Sequence, residues 1–187
     1  MRDIVQDGAK ILRKNAEPVP EEFFGTPKLA DIIRDMTEAL DREPEGVALA
    51  APQIAVPYRL FIVRKDRTLP PPLNAASDAA SGELPAKQEV LAPPAEVEVY
   101  INPEKVKTSR KRAKMDEGCL SVRGVYGTTK RHERVTIKAH HEDGKPFQRG
   151  GGGIMAQIFE HEIDHLNGIL FTDHAEHLIQ IHHAPTA

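Results

Sequence analysis

The sequence contains a single cysteine and lacks any apolar run long enough to cross a bilayer. Cys119 has no partner for an intramolecular disulfide, which argues against a secreted, disulfide-stabilised fold. The N-terminal stretch also lacks the apolar core of a signal peptide and the charge pattern of a transit peptide. A net charge of -3 does not favour bulk attraction to DNA or to anionic lipid. These absences predict a cytoplasmic enzyme or binding protein that contacts neither DNA nor a membrane.

The length of 187 residues suits one domain with a substantial core, which we expect to span residues 1–187. Residues 66–95 are rich in Pro, Ala and Ser, so they cannot bury enough apolar surface to fold, and we interpret them as a flexible insertion. Thr26 and Pro27 have the residue types of an N-cap and a first helical position, and they precede apolar residues at helical spacing. The "EDGK" sequence at residues 142–145 is typical of a hairpin turn.

The most informative motif is a His-Glu-x-x-His pentad in "FEHEIDHLNG". On a helix, His161 and His165 share one face and can bind the same ion. Glu162 lies close enough to reach a water molecule on that ion without binding the metal itself. Strand-like segments precede this helix without regular βαβ alternation. The sequence therefore predicts an α+β fold of mostly antiparallel strands packed around a central helix that carries the pentad.

Two imidazoles rarely complete a catalytic metal site, so a third ligand is needed. In a metzincin protease it would be a histidine at the eleventh position of the motif, but that residue here is Phe171. The later histidines, in "EHLIQIHH", are interpreted as part of a solvated helical tail. Cys119, in "DEGCLSV", is the upstream candidate, because a thiolate is a strong ligand for Fe(II) or Zn(II). A lone cysteine can equally be an inert buried residue.

A third motif, "GVALAAPQ" at residues 46–53, is interpreted as a loop that ends in a polar amide. Gln53 could donate a hydrogen bond to a developing oxyanion, or it could be an ordinary loop glutamine. Taken together and in this order, "GVALAAPQ", "EGCLS" and "HEIDH" resemble the three signatures of the peptide deformylase family. The resemblance extends to "INPE", "DGKPF" and "HLNGILF".

The resemblance implies that Cys119, His161 and His165 bind one divalent metal ion. Fe(II) is the family's usual ion, with Zn(II), Ni(II) or Co(II) as alternatives. It further implies that Glu162 is the general base, and that Gln53 and the backbone N–H of Leu120 stabilise the oxyanion. The substrate would be the N-formylmethionine of a nascent polypeptide, and formate would be released.

For the substrate groove, the resemblance implies that Gly46 and Val47 pair with the peptide backbone. An apolar pocket for the methionine side chain would be formed by Met115, Ile154 and Ile158. Ala48 departs from the family pattern, which has a second glycine at this position. A methyl group there would cost about 1 kcal/mol if the backbone needed a positive φ, or would narrow the groove.

Two other functions remain open on the sequence alone. A zincin-type endopeptidase would cleave internal peptide bonds and would not need Cys119. A degenerate, non-catalytic paralogue would bind peptide without turnover, although it would not need to retain Glu162 and the three ligands. The basic run of residues 105–114 is either a solvated strand face or an RNA-facing patch, which would serve transient association with the ribosome.

Overall fold

A computed structural model of the chain describes residues 2–68 and 97–181. Within these residues there are two α-helices, α1 (Pro27–Asp41) and α2 (Ile154–Leu166). Short 3-10 helices cover Lys10–Arg13, Glu21–Phe23, Ala51–Ile54, Lys65–Arg67 and Phe171–Asp173. The strands are β1 (Ala48–Ala50), β2 (Leu60–Arg64), β3 (Val97–Thr108), β4 (Arg112–Cys119), β5 (Val122–His132), β6 (Arg134–His140), β7 (Pro146–Gly152) and β8 (Glu176–Gln180).

The strands form two antiparallel sheets. Five of them form a sheet in the order β1-β2-β3-β6-β7, and the other three form a sheet in the order β4-β5-β8. The prediction of an α+β fold with mostly antiparallel strands is confirmed. The β6–β7 connection is the hairpin expected from "EDGK", with the Gly144 N–H donating to the His141 carbonyl at 2.9 Å.

Helix α1 begins where the sequence predicted, with Pro27 in its first turn. Its buried face is formed by Leu29, Ile33, Met36 and Leu40, which pack on residues of β1 and β2. The Thr26 hydroxyl does not cap the helix and instead donates to the Phe23 carbonyl at 2.7 Å. Apolar packing therefore stabilises this helix more than its cap does.

Helix α2 contains the predicted pentad, and it lies close against β7. Its apolar residues Ala156, Phe159 and Ile163 are buried with side chains of the five-stranded sheet. A Cβ atom at Gly151 would lie 2.9 Å from the Phe159 ring and 2.9 Å from Met155 Cβ, so glycine permits this close approach. Gly150, Gly151 and Gly152 all belong to β7, the strand that supports the helix.

Two local interpretations of the sequence were wrong. The first half of "GVALAAPQ" is not all loop, because Ala48–Ala50 pair with β2 as an edge strand. The described part of the segment interpreted as a helical tail is not helical, because Glu176–Gln180 form β8 and pair with β5, while His182 and His183 lie outside the described residues. Both strands are short, and their pairing depends on partners that are distant in the sequence.

The predicted insertion at residues 66–95 lies mostly outside the described residues. Its first residues are ordered, since Lys65–Arg67 form a 3-10 helix. The Arg67 guanidinium donates to the Glu43 carbonyl at 2.7 Å and also to the Gly46 carbonyl. Among the residues that the structure describes, no helix is both long enough and apolar enough to cross a membrane.

Candidate metal centre and catalytic site

The three side chains expected to bind a metal lie together. Cys119 is the last residue of β4, whereas His161 and His165 are one turn apart on α2. One potential ligand atom from each residue lies within 4.8 Å of the other two. Cys119 Sγ is 3.1 Å from His165 Nε2. The fold therefore brings the thiol and both imidazoles to one point.

His161 is oriented by a buried carboxylate. Its Nδ1 atom is 3.2 Å from Oε2 of Glu117, two residues before Cys119 on β4. With the proton placed on Nδ1, the ring donates to Glu117 and leaves the Nε2 lone pair free for a metal. This second hydrogen bond selects the tautomer that a metal ligand needs.

Glu117 is itself held by an arginine and a hydroxyl. The Arg131 Nε and Nη2 atoms donate to its two oxygens at 2.7 Å and 2.9 Å, and the Thr129 hydroxyl donates at 2.8 Å. Arg131 also donates to Asp164 of α2 at 2.5 Å. Burial alone would raise the pKa of Glu117, but the hydrogen bonds from Arg131 and His161 hold that pKa well below its usual range.

Glu162 lies beside the two histidines in a buried position. Its side chain is almost inaccessible, and burial raises its pKa to about 7. Its Oε2 atom has no hydrogen-bond partner among the described residues. A buried carboxyl oxygen without a partner is costly, so this atom is suited to a polar group that enters the site.

Gln53 directs its amide donor at the same point. It lies in the 3-10 helix Ala51–Ile54, and its Oε1 accepts from the Ala50 N–H at 2.8 Å. Its Nε2 is 3.7 Å from Cys119 Sγ and donates to the Ser121 hydroxyl at 3.2 Å. Because Oε1 is occupied by the backbone, the orientation of the amide is fixed with its N–H groups toward the thiol.

These groups border a cavity of about 670 Å³. Gln53, Cys119, His161 and Glu162 line it, and so does Leu120, which lies in the connection between β4 and β5. Of the predicted peptide-groove residues, those that line the cavity are Gly46, Val47, Ile154 and Ile158. Met115, on β4, is not among the lining residues. The structure thus places every predicted site residue except Met115 either on the cavity wall or, for His165, in contact with Cys119.

Ala48 causes no backbone strain. It is an extended residue of β1, paired with Val63, and it is not among the non-glycine residues with positive φ. A glycine is therefore not required here for conformational reasons. Ala48 does line the cavity, so an effect of this residue would act through the shape of the groove.

Several neighbours of the site escaped the sequence interpretation, notably Glu117, Arg131 and Gln157. The alternation of β4 could have indicated Glu117. Lys114 and Asp116 are exposed on one face of the strand, so Glu117 between them and Cys119 is placed on the more buried face. No comparable local signal marks Arg131, which the sequence places in a run of charged residues. Its partners are 14 and 33 residues away along the chain.

The basic run covers the end of β3, the connection to β4 and the start of β4, two strands that belong to different sheets. Lys105, Lys111 and Lys114 form ion pairs with Glu160, Glu133 and Glu176. Its other members, Lys107, Arg110 and Arg112, are exposed. All six of these cations are therefore exposed, and three of them are also paired with an acidic side chain.

The donor set fits a divalent metal ion. A thiolate with two imidazoles suits Fe(II) or Zn(II), and three protein ligands leave a coordination position open for chemistry. The tautomer selected at His161 and the partnerless Glu162 oxygen agree with that assignment. The fold and these groups together define a candidate hydrolytic metal centre in a groove.

Comparisons with known proteins agree with this class. The family described as polypeptide deformylase matches residues 1–180. A peptide deformylase of Dehalococcoides mccartyi is 36% identical over 182 residues, which cover 97% of this chain and 90% of the relative. The crystal structure of a peptide deformylase from Legionella pneumophila has a TM-score of 0.73 and 35% identity, covering 95% of this chain and 87% of that one.

A Met-Ala-Ser-bound class I type b peptide deformylase from Acinetobacter baumannii is also similar. It has a TM-score of 0.73 and 30% identity, and the match covers 92% of this chain and 98% of that one. The match of the family over nearly all of the sequence is decisive. The chain belongs to the polypeptide deformylase family.

Proposed function

We propose that the chain is a metal-dependent hydrolase that removes the formyl group from the N-formylmethionine of nascent polypeptides and releases formate. Family membership supports this reaction, and so does the Met-Ala-Ser peptide bound to the Acinetobacter baumannii enzyme. The observation that carries the proposal is the 3.1 Å separation between Cys119 Sγ and His165 Nε2. A zincin-type endopeptidase has no use for a thiol at that position, so the geometry favours deformylation.

We assign Cys119, His161 and His165 as the metal ligands and Fe(II) as the physiological ion, with Zn(II), Ni(II) or Co(II) as substitutes. When bound, such an ion supplies Lewis-acid chemistry, because it polarises a carbonyl group and makes a water molecule more acidic. Glu117 maintains the His161 tautomer that this assignment requires.

Glu162 moves the proton in the proposed reaction. Its carboxylate accepts a proton from the water that attacks the formyl carbon, and then donates a proton to the methionine nitrogen. The C–N bond breaks as that nitrogen leaves, so the products are formate and a free amino terminus. The absence of a hydrogen-bond partner at Oε2 among the described residues keeps the carboxyl group available for this exchange.

Gln53 stabilises the charge that develops on the formyl oxygen. Its Nε2–H group is already directed toward the thiol by the Ala50 N–H, so little reorganisation is needed. The backbone N–H of Leu120 is the second proposed donor. A preorganised donor of this kind typically lowers the barrier by about 3 kcal/mol.

The cavity supports peptide binding next to these groups. We assign Gly46 and Val47 to the peptide backbone, and Ile154 and Ile158 to the methionine side chain, because all four line the cavity. Met115 remains a sequence-based candidate for the same pocket. A small apolar pocket beside a polar catalytic wall suits an N-terminal methionine.

The proposal is tested by measuring formate release from formyl-Met-Ala-Ser under anaerobic conditions with Fe(II)-loaded or Ni(II)-loaded protein. We expect turnover, together with its loss in Glu162→Gln at unchanged metal content. Folded, metal-occupied protein that releases no formate would contradict the proposal and would favour the non-catalytic paralogue. Cleavage of an internal peptide bond instead would favour the endopeptidase.

We infer that the chain also contacts the ribosome transiently, since nascent peptides are presented there. The exposed cations Lys107, Arg110 and Arg112, in and beside the connection between β3 and β4, support this inference. Cosedimentation with ribosomes should weaken in a Lys107→Glu/Arg110→Glu variant and with rising salt. Equal sedimentation of variant and unsubstituted protein would exclude this basic segment as the contact.

A further inference from the structure

One face of the three-stranded sheet carries an exposed apolar row that begins at the catalytic cavity. Tyr126 of β5 lies opposite both Gly118 of β4 and Ile179 of β8. Tyr126 lines the cavity and is 40% exposed, and Ile179 is 62% exposed. Ile181, 46% exposed, continues the row, since residues two apart on an extended chain point to one side. We call Tyr126, Ile179 and Ile181 the apolar ledge.

The ledge starts directly beside the proposed metal ligand Cys119. A Cβ atom at Gly118 would lie only 2.8 Å from Cε1 of the Tyr126 ring, so the ring leans across the glycine toward β4. The other end of the row is held by the Ile181 N–H, which donates to the Gly124 carbonyl at 2.7 Å. The row therefore extends across the sheet from the cavity wall to β8 and the residue that follows it.

The opposite face of the same sheet is different. Val125 and Ala175 pack there against a buried cluster of the core. Leu178 belongs to that side, because its Cδ2 atom lies 2.8 Å from where a Cβ atom of Gly127 would be. Leu178 and Ile179 are thus adjacent exposed aliphatic residues on opposite faces of one strand, which makes Leu178 a matched control.

We propose that the apolar ledge binds apolar side chains at the fourth and fifth residues of the substrate peptide. This proposal rests on the proposed deformylase function. Neighbouring strands are roughly 4.8 Å apart, so Ile179 lies about 10 Å across the sheet from Gly118. An extended peptide covers that distance in about three residues at roughly 3.3 Å each. With methionine in the cavity, a tripeptide reaches Tyr126 and the next two residues reach β8.

The test compares kcat/KM for formyl-Met-Ala-Ser-Leu-Leu and formyl-Met-Ala-Ser-Ser-Ser. We expect the leucine peptide to be favoured by roughly threefold to tenfold, the effect of partly burying two aliphatic side chains. In Ile179→Ser this ratio should fall toward one, while Leu178→Ser should keep both the ratio and the absolute rates. Thermal melting of each variant checks that the fold is unchanged.

The outcomes separate the ledge from the proposed function. A ratio near one in the unsubstituted protein, or an equal fall in both variants, would overturn the ledge alone. No formate from any peptide, including formyl-Met-Ala-Ser, would overturn the proposed function and the ledge with it. Light scattering addresses a second copy of the chain: a dimer that Ile179→Ser converts to a monomer, with the ratio unchanged, would assign this face to self-association and overturn the proposal.

Discussion

Replacement of Arg131 by methionine is expected to lower the free energy of unfolding by about 3–5 kcal/mol, because it removes one member of a buried ion pair. The side chains of Arg131 and Glu117 are only 6% and 3% exposed, and two hydrogen bonds join them. Without the guanidinium, the Glu117 carboxylate remains buried, and among the described residues its remaining partners are Thr129 and His161. Removing one member of a buried ion pair typically costs about 3–5 kcal/mol. A loss of this size is a large share of the roughly 5–15 kcal/mol that stabilises a typical domain.

Urea denaturation of the metal-free protein near pH 7.5 measures this change. Glu117 has a folded-state pKa well below its ordinary value of 4.5, because Arg131 and His161 offset the effect of burial. A carboxyl group with a depressed pKa contributes stability that is fully present above its unfolded-state value and is lost as the pH falls below it. At about pH 7.5 the contribution is complete, and in Arg131→Met the acid side of the stability curve should be flatter.

Arg134→Met is the matched control, since Arg134 is an exposed arginine three residues further along the chain. A surface substitution of this kind usually changes stability by no more than about 0.5 kcal/mol. Adding Glu117→Gln to Arg131→Met should recover part of the loss, because it removes the buried charge. If Arg131→Met and Arg134→Met each lower the free energy of unfolding by less than about 1 kcal/mol, the buried ion pair does not stabilise the fold as proposed.

Three further substitutions test the proposed chemistry, and a fourth tests the backbone at Ala48. Glu162→Gln should retain metal by elemental analysis and lose turnover by roughly 10²–10⁴-fold, and loss of the metal would instead make Glu162 a ligand. Cys119→Ser should lower metal occupancy after dialysis, and unchanged occupancy would remove the thiol from the site. Gln53→Ala should lower kcat by roughly 10²–10³-fold with KM little changed, whereas a pure KM effect would assign Gln53 to ground-state binding. Ala48→Gly should lower the free energy of unfolding by about 0.5–1 kcal/mol, and stabilisation would show that the alanine is strained.

The elements that the sequence predicted well are those with a local cause. Pro27 and the spaced apolar residues after it determine α1, and the turn at residues 142–145 determines the β6–β7 hairpin. His161 and His165 were expected on one face because the helical period alone places them there. The helical period does not place Cys119 beside them. That expectation came from the three motifs taken together and in order, which resemble those of the family.

Features that depend on partners elsewhere in the chain were missed. β8 was interpreted as part of a helical tail, although its local pattern favours neither a helix nor a strand strongly. Its pairing with β5 decides the outcome. Likewise Ala48–Ala50 is a strand only because β2 provides hydrogen-bonding partners. Arg131 is buried because Glu117 and Asp164 converge on it, and a charged side chain is rarely buried without such partners.

The polar residues of α2 show how these missed contacts position the metal centre. Gln157, Glu160, His161, Asp164 and His165 follow the spacing of one helical stripe, and each contacts the three-stranded sheet. Their partners, in the same order, are Asp116, His132, Glu117, Arg131 and Cys119. The apolar side of α2 packs instead with the five-stranded sheet.

The distance between Cys119 and the two histidines is therefore set by polar contacts between α2 and the small sheet. Apolar packing holds α2 on the large sheet, to which Cys119 does not belong. A substitution such as Phe159→Leu, on the apolar side of α2, should lower stability with little effect on metal affinity. A substitution in the polar stripe, such as Asp164→Asn, should lower metal affinity more than its effect on stability alone would predict. The proposed chemistry and the stability of the fold thus depend on opposite faces of one helix.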